Sequence, residues 1–295
     1  MSKIILIVGP TATGKTALSI ALAKKYNAEI INADSTQIYK EPLIATAKIT
    51  EEEKEGIIHH MIDIKSLKDE YSIYDYQKDA RKILDKLISE NKNVIIVGGS
   101  GLYVKALLYD YNLEKESSSN IDLSNYSNQE LKDMADEIDI NNNIHVNNRH
   151  RLERYIKYNK NTGKIITKSD EINKKIYDFI TIGLNAPREE IYKRCDKRVD
   201  EMFENGLLEE AKSIYDKHFK NFTTIIGYRE LNEYFNNNLS LEEAKDMMKK
   251  NTRHYAKRQI TFYKHQFDNI EWFETNYNDF NITIHNVMDY LDKTQ

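Results

Sequence analysis

The strongest constraint on this chain is the run Gly9-Pro10-Thr11-Ala12-Thr13-Gly14-Lys15-Thr16, which matches G-x-x-x-x-G-K-[ST]. A strand-sized, mainly apolar run, Lys3–Val8, precedes it, and a helical pattern over Ala17–Tyr26 follows. Strand, glycine turn and helix is the context in which this pattern binds phosphate. The glycines let backbone N–H groups converge on phosphate oxygens, and the helix N-terminus adds partial positive charge. Lys15 reaches the terminal phosphate oxygens, and the Thr16 hydroxyl can coordinate Mg²⁺. The loop predicts a phosphate or diphosphate site, a nucleotide being one candidate ligand.

Buried-strand runs recur at Glu29–Asn32 and Asn93–Val97, with a helix expected over Ile73–Ser89. Strands alternating with helices predict an α/β fold with a parallel sheet. Between Glu114 and Asn143 the character changes. Ser117–Ser119, Asn125, Asn128 and Asn141–Asn143 are loop formers around one short helix near Gln129–Glu137. A basic helix over Arg149–Asn159, a returning strand over Phe179–Leu184 and a helix opened by Pro187 come next. A mostly helical C-terminal part ends with a strand at Ile270–Phe273 and a last helix. This organisation predicts a core from residues 1–113 and 178–295, with 114–177 as a mostly helical insertion; 295 residues suffice for both.

Charge is unevenly placed along the chain. The formal total is −4, from 43 Lys+Arg and 47 Asp+Glu. Glu114–Ile144 holds two basic residues against eight acidic, His145–Asp200 fourteen against eight, and Lys249–Lys264 six basic and no acidic. Concentrated basic stretches can hold a polyanion, and solvated helix faces account for each stretch taken alone equally well. The longest apolar runs are too short for a membrane span. The start lacks a secretory signal pattern. A single cysteine, Cys195, leaves no intramolecular disulfide and no cysteine-based zinc site. A cytoplasmic protein is expected. His59 and His60 point different ways on a helix or strand, with no third histidine nearby, and are not read as a metal site.

Which phosphate compound binds is a separate question. A P-loop hydrolase carries a second acid after an apolar strand to hold magnesium. Here Val94–Val97 runs into Gly98-Gly99-Ser100-Gly101, without a carboxylate. The loop therefore suits a diphosphate that leaves better than a nucleotide that donates phosphoryl. Asp34, at the end of the second strand, stands where α/β sheets place active sites. Magnesium ligand, general base and helix cap are all open to it.

GPTATGKT (residues 9–16), ADSTQIY (33–39), HHMID (59–63), VGGSGLY (97–103), IIGYRE (225–230) and RHYAKRQITFYK (253–264) occur in this order. The chain thereby resembles the bacterial tRNA dimethylallyltransferases, also called tRNA isopentenyltransferases, from residue 3 to about 265. The resemblance implies a P-loop NTPase-like core with a helical insertion that grips the anticodon stem-loop. It implies transfer of a dimethylallyl group from its diphosphate to N6 of the adenosine just 3′ of the anticodon, with that base flipped into a channel. Gly9–Thr16 would bind the diphosphate, and Asp34, Ser35, Thr36 and Gln37 would meet the adenosine. Ser100 stands beside that base, where the family usually has Thr. RNA contacts would fall to His150, Arg151, Leu152, Glu153 and Arg154, to Thr224–Arg229 with Gly227, Tyr228 and Arg229, and to Lys257, Arg258, Gln259 and Lys264. The chain departs from the family at Lys40–Ile49, which lacks the usual Asp-Ile-Gly, and at Val146, where Pro is usual. Phe262 and Lys264 replace the common Trp and Arg, and the segment before His145 is short.

These residues suit that chemistry. The departing diphosphate gains negative charge, which the loop amides, Lys15 and Mg²⁺ on Thr16 would stabilise. Arg194 and Arg198, four apart on one helix, would complete a clamp, unless they form a solvated stripe. Asp34 is the candidate to accept the amine proton. Arg253 joins the phosphate-holding residues, and Tyr255, Phe262 and Tyr263 could stack on bases or pack in the core. A P-loop nucleoside or nucleotide kinase, an RNA-binding module whose P-loop only senses nucleotide and a free-adenylate prenyltransferase are the competing readings. The expected partners are tRNA and dimethylallyl diphosphate, with no membrane, and the chain is expected to act as a monomer.

Overall fold

A computed structural model describes residues 2–111, 113, 121–165 and 174–294. The chain divides into two compact units, residues 1–109 with 175–295, and residues 110–174. Composition had suggested bounds of 114 and 177.

The first unit is built on a six-stranded sheet. Its strands are β1 (Ile4–Val8), β2 (Ala28–Asn32), β3 (His59–His60), β4 (Asn93–Val97), β5 (Ile180–Asn185) and β6 (Ile270–Glu274), in the order β3-β2-β4-β1-β5-β6. Every pairing is parallel. β1 lies inside the sheet, with Ile5 opposite Ile95 on one side and Ile180 on the other. All five of its residues are buried, which is why it reads as an unbroken apolar run rather than an alternating one. Alternation appears only in the packing. Ile4, Leu6 and Val8 face α3 (Ile73–Ser89), α4 (Gly101–Leu108) and the end of the long helix over 241–266. Ile5 and Ile7 face α1 (Lys15–Tyr26) and the last helix, 280–293. The result is three layers, helix, sheet and helix.

A short α2 (Glu51–Lys54) precedes β3. After β5 come α7 (Arg188–Glu204), α8 (Leu207–Tyr215), a 3-10 turn at Phe222–Thr224, α9 (Tyr228–Phe235), α10 (Leu241–Gln266) and, beyond β6, α11 (Phe280–Lys293). Val199, Leu207, Ile214, Tyr228 and Met248 from these helices close a separate core over Ile38 and Tyr39. The second unit packs α5 (Asn128–Ile138) on α6 (Arg149–Thr162) through Leu131, Ala135, Leu152 and Ile156. Ser127 caps α5 with Glu130 in a reciprocal box. Among the described residues no helix is long and apolar enough to cross a membrane.

Several boundaries differ from expectation. α1 starts at Lys15, because the loop's last two residues already take helical geometry. β5 sits one residue later than expected. α4 was not anticipated: six of its eight residues are buried, so its sequence shows no polar face and no helical period. β3 is two residues long, too short for any pattern to announce it. Ser117–Ser119 lie outside the described residues.

Candidate active site

The P-loop joins β1 to α1 at the carboxyl edge of the sheet. Gly9 has φ 145°, and a Cβ there would stand 2.4 Å from the Leu184 carbonyl oxygen. Neither the angle nor the space admits another residue. Thr13 is fully buried, its hydroxyl donating to the Pro10 carbonyl at 2.8 Å, so this side chain braces the loop from within. Lys15 Nζ donates to the same carbonyl at 2.7 Å. Burial, and next the nearby Arg198 guanidinium, push the Lys15 ammonium down to about 8. Arg198 Nη1 donates to Thr11 Oγ1 at 3.2 Å.

A cleft of about 300 Å³ opens over the loop, lined by residues 11–16 together with Asp34, Gln37, Gly98, Gly99, Arg198, Tyr255 and Gln259. Ala47, Ile49 and Ile62 give it apolar wall as well. Asp34 Oδ1 accepts from Thr36 N at 2.9 Å and from Thr36 Oγ1 at 2.7 Å. No helix follows Asp34, so these bonds brace the turn over residues 35–38 rather than cap a helix, and they use one oxygen. Oδ2 faces Gly99, lying 3.2 Å from where a Cβ on that residue would stand. Gly98 has no room either: its Cβ would meet the Ala33 backbone at 2.2 Å. Of the two positions after β4, where a P-loop hydrolase would carry its acid, Gly98 is closed by backbone, and a Cβ at Gly99 would press on Gln259 Nε2 at 2.6 Å.

Gln259 ties these loops together. Buried on α10, it accepts from Thr11 N at 2.8 Å and donates to the Gly99 carbonyl at 2.9 Å. Ser100 Oγ accepts from Ser35 N and donates to Ser35 Oγ, both at 2.9 Å, linking the β4 turn to the Asp34 loop. Gln37 Nε2 donates to the Thr46 carbonyl at 3.2 Å. The departure at Lys40–Ile49 is held from two sides. Glu210 accepts from the amides of Leu43, Ile44 and Ala45 at 2.8–3.1 Å, and buried Lys48 donates to the carbonyls of Tyr39 and Lys40. Neither Glu210 nor Lys48 carried a sequence signal for this.

Other expected residues lie elsewhere. Arg194 is not in the cleft; its guanidinium sits 3.6 Å over the ring centre of Tyr277. Four residues along α7 are about 6 Å of rise, so only Arg198 comes level with Thr11. Leu152 is wholly buried in the second unit, and Glu153 pairs with Arg149 at 2.6 Å; His150, Arg151 and Arg154 are exposed on α6. Gly227 takes φ 101° before α9, Tyr228 is fully buried with its hydroxyl on Glu210, and Arg229 pairs with Glu230. On α10, Arg253 pairs with Asp196 of α7, whereas Lys257, Arg258 and Lys264 are exposed. Tyr263 is core, donating to the Gly98 carbonyl, and Tyr255 donates to that of Gly99, both at 3.2 Å. Phe262 packs on Gly101. His60 bonds Glu29 at 2.6 Å and His59 bonds the Ile57 carbonyl at 2.9 Å. Among the described residues no group of three or more His, Cys, Asp or Glu could hold a metal ion.

A family model described as IPP transferase matches residues 37–266. The chain belongs to the IPP transferase family. It is 39% identical to the tRNA dimethylallyltransferase of Anoxybacillus flavithermus, covering 98% of this chain and 96% of that protein. The tRNA dimethylallyltransferase of Enterococcus faecalis is 42% identical over 90% of each chain. Among solved structures, the full-length tRNA isopentenylpyrophosphate transferase of Bacillus halodurans matches with TM-score 0.76 and 36% identity, over 99% of this chain and 96% of that one. A eukaryotic dimethylallyltransferase, solved acting on tRNA, matches with TM-score 0.82 and 26% identity, over 99% and 80%. The family match begins at Gln37, after the P-loop, and takes in the glycines after β4.

Proposed function

We propose that the chain transfers a dimethylallyl group from dimethylallyl diphosphate to N6 of the adenosine just 3′ of the anticodon in tRNA, releasing diphosphate. The carrying observation is one cleft with a P-loop and Lys15 on one side, the free oxygen of Asp34 on another, and glycines where a hydrolase acid would stand.

The amine lone pair attacks the allylic carbon, and the C–O bond breaks with its electron pair leaving on the diphosphate. Asp34 Oδ2 takes the N6 proton, while the Thr36 bonds hold Oδ1 and orient the carboxylate. Lys15 and Arg198 stabilise charge where it grows; one such donor is worth about 3–4 kcal/mol. Ala47, Ile49 and Ile62 offer the prenyl group an apolar wall. Thr16, an exposed residue lining the cleft, offers a hard hydroxyl oxygen that fits Mg²⁺, which takes few protein ligands and keeps several waters. When bound, that ion would neutralise charge on the diphosphate.

For RNA, the exposed Lys257, Arg258 and Lys264 of α10 and the exposed His150, Arg151 and Arg154 of α6 are the phosphate-holding candidates, with the second unit as the grip on the stem-loop. Flipping the target base out of a loop costs less than out of a duplex. The same reading places the reaction in the cytoplasm. The test is incubation with labelled dimethylallyl diphosphate and either tRNA or free adenylate, beside labelled ATP with nucleosides. Label in tRNA alone supports the proposal; label on free adenylate, or phosphorylated nucleoside, overturns it.

A further inference from the structure

Tyr277 lies beyond β6, outside the residues 37–266 that the family model matches, and nothing in its sequence marked it. Its hydroxyl donates to the Ala12 carbonyl at 3.1 Å. Ala12 is at φ 66°, in the left-handed region, where a residue with a Cβ loses roughly tenfold in population against its ordinary conformation. The residues beside it are held as well. Thr13 O accepts from Thr275 Oγ1 at 3.2 Å, and Thr11 N donates to Gln259. Tyr277 is itself seated: Arg194 covers its ring at 3.6 Å, and it packs in a small cluster with Ile191, Cys195, Ala256 and Ala12. Arg194, which sequence spacing placed on the diphosphate, touches Tyr277 instead.

If Ala12 relaxed to negative φ, the peptide planes on either side of it would turn, and with them the loop amides meant for phosphate oxygens. We propose that Tyr277, seated by Arg194, is a positioning residue that holds Ala12 left-handed and so keeps the P-loop shaped for the donor diphosphate. The inference rests on the loop being that diphosphate site.

Tyr277→Phe keeps the ring and its contact with Arg194 and deletes only the hydroxyl. It should weaken binding of dimethylallyl diphosphate, titrated without tRNA, by about fivefold, the scale of one lost hydrogen bond. tRNA affinity, read by filter binding, should move by less than about twofold, because the change is confined to the loop. Glycine adopts positive φ without help, so in an Ala12→Gly background the penalty of Tyr277→Phe should shrink to less than about twofold. A merely structural tyrosine would cost the same in both backgrounds, and that result overturns the inference, as does unchanged donor affinity in Tyr277→Phe. A folded wild-type chain that binds no dimethylallyl diphosphate would instead overturn the site reading beneath it.

Discussion

Raising the pH should weaken donor binding in a way that reports on Lys15 alone. Burial first, and then Arg198, depress the Lys15 ammonium from 10.5 to about 8 in the free protein. A bound diphosphate stabilises the charged form and raises that value again. Between the two values binding must take up a proton. Affinity for dimethylallyl diphosphate should be level below about pH 8 and then fall tenfold per pH unit, about thirtyfold by about pH 9.5. The donor itself adds no slope there, because its last phosphate proton is lost near about pH 6. Calorimetric titration without tRNA, in two buffers of different ionisation enthalpy, measures both affinity and protons taken up. Proton uptake should rise from near zero at about pH 7 toward one at about pH 9.5. Lys15→Arg keeps its charge throughout and should show no such fall. Level affinity up to about pH 9.5, or the same fall in Lys15→Arg, would refute the reasoning. The folding side has the opposite sense. Lys15 is depressed in the folded state, so its cost to stability is fully present below about 8 and is relieved as pH climbs toward 10.5.

Asp34→Asn keeps the Thr36 bonds available but removes the base; kcat should drop by roughly 10²–10⁴ with donor KM little changed, and rescue by added Mg²⁺ would make Asp34 a metal ligand instead. Lys257→Gln with Arg258→Gln should weaken tRNA binding and flatten the slope of log affinity against log salt by about 1.4–1.8, leaving donor binding as it was; an unchanged slope would mean these charges are only solvated. Arg253→Gln, whose charge is already paired with Asp196, should change that slope by less than about half a unit. Gly98→Ala would drive a Cβ to 2.2 Å from the Ala33 backbone, and chemical denaturation should show a loss of at least about 1–3 kcal/mol.

The sheet was legible because both of its faces are covered, so its inner strands carry unbroken apolar runs that composition alone exposes. The P-loop was legible because its spacing encodes backbone geometry directly. α4 was not, since a helix buried on nearly all sides loses the polar face that marks helical period. Site residues divided along the same line. Lys15, Asp34 and Arg198 were readable from local motif and spacing, and they share one cleft. Arg194 shares a helix with Arg198, but spacing could not show that Tyr277 waits one turn away. The basic stripe on α10 hid three different fates: Arg253 in an ion pair, Gln259 buried as a brace, and Lys257 and Arg258 in solvent. Which fate applies depends on α7 and the P-loop, elements far away in sequence. Glu210 and Tyr277 were silent for the same reason, because their work is done on backbone atoms more than a hundred positions distant.

The central claim is that one cleft joins a prenyl diphosphate to a single adenine amine in tRNA. Its most direct test is mass spectrometry of nuclease fragments from an unmodified tRNA transcript incubated with the protein, dimethylallyl diphosphate and Mg²⁺. The account predicts one fragment heavier by a single dimethylallyl group, placed on N6 of the adenosine just 3′ of the anticodon, with one diphosphate released per group transferred. An unaltered transcript from folded protein that binds both substrates, or a dimethylallyl group on any other nucleotide, would contradict it.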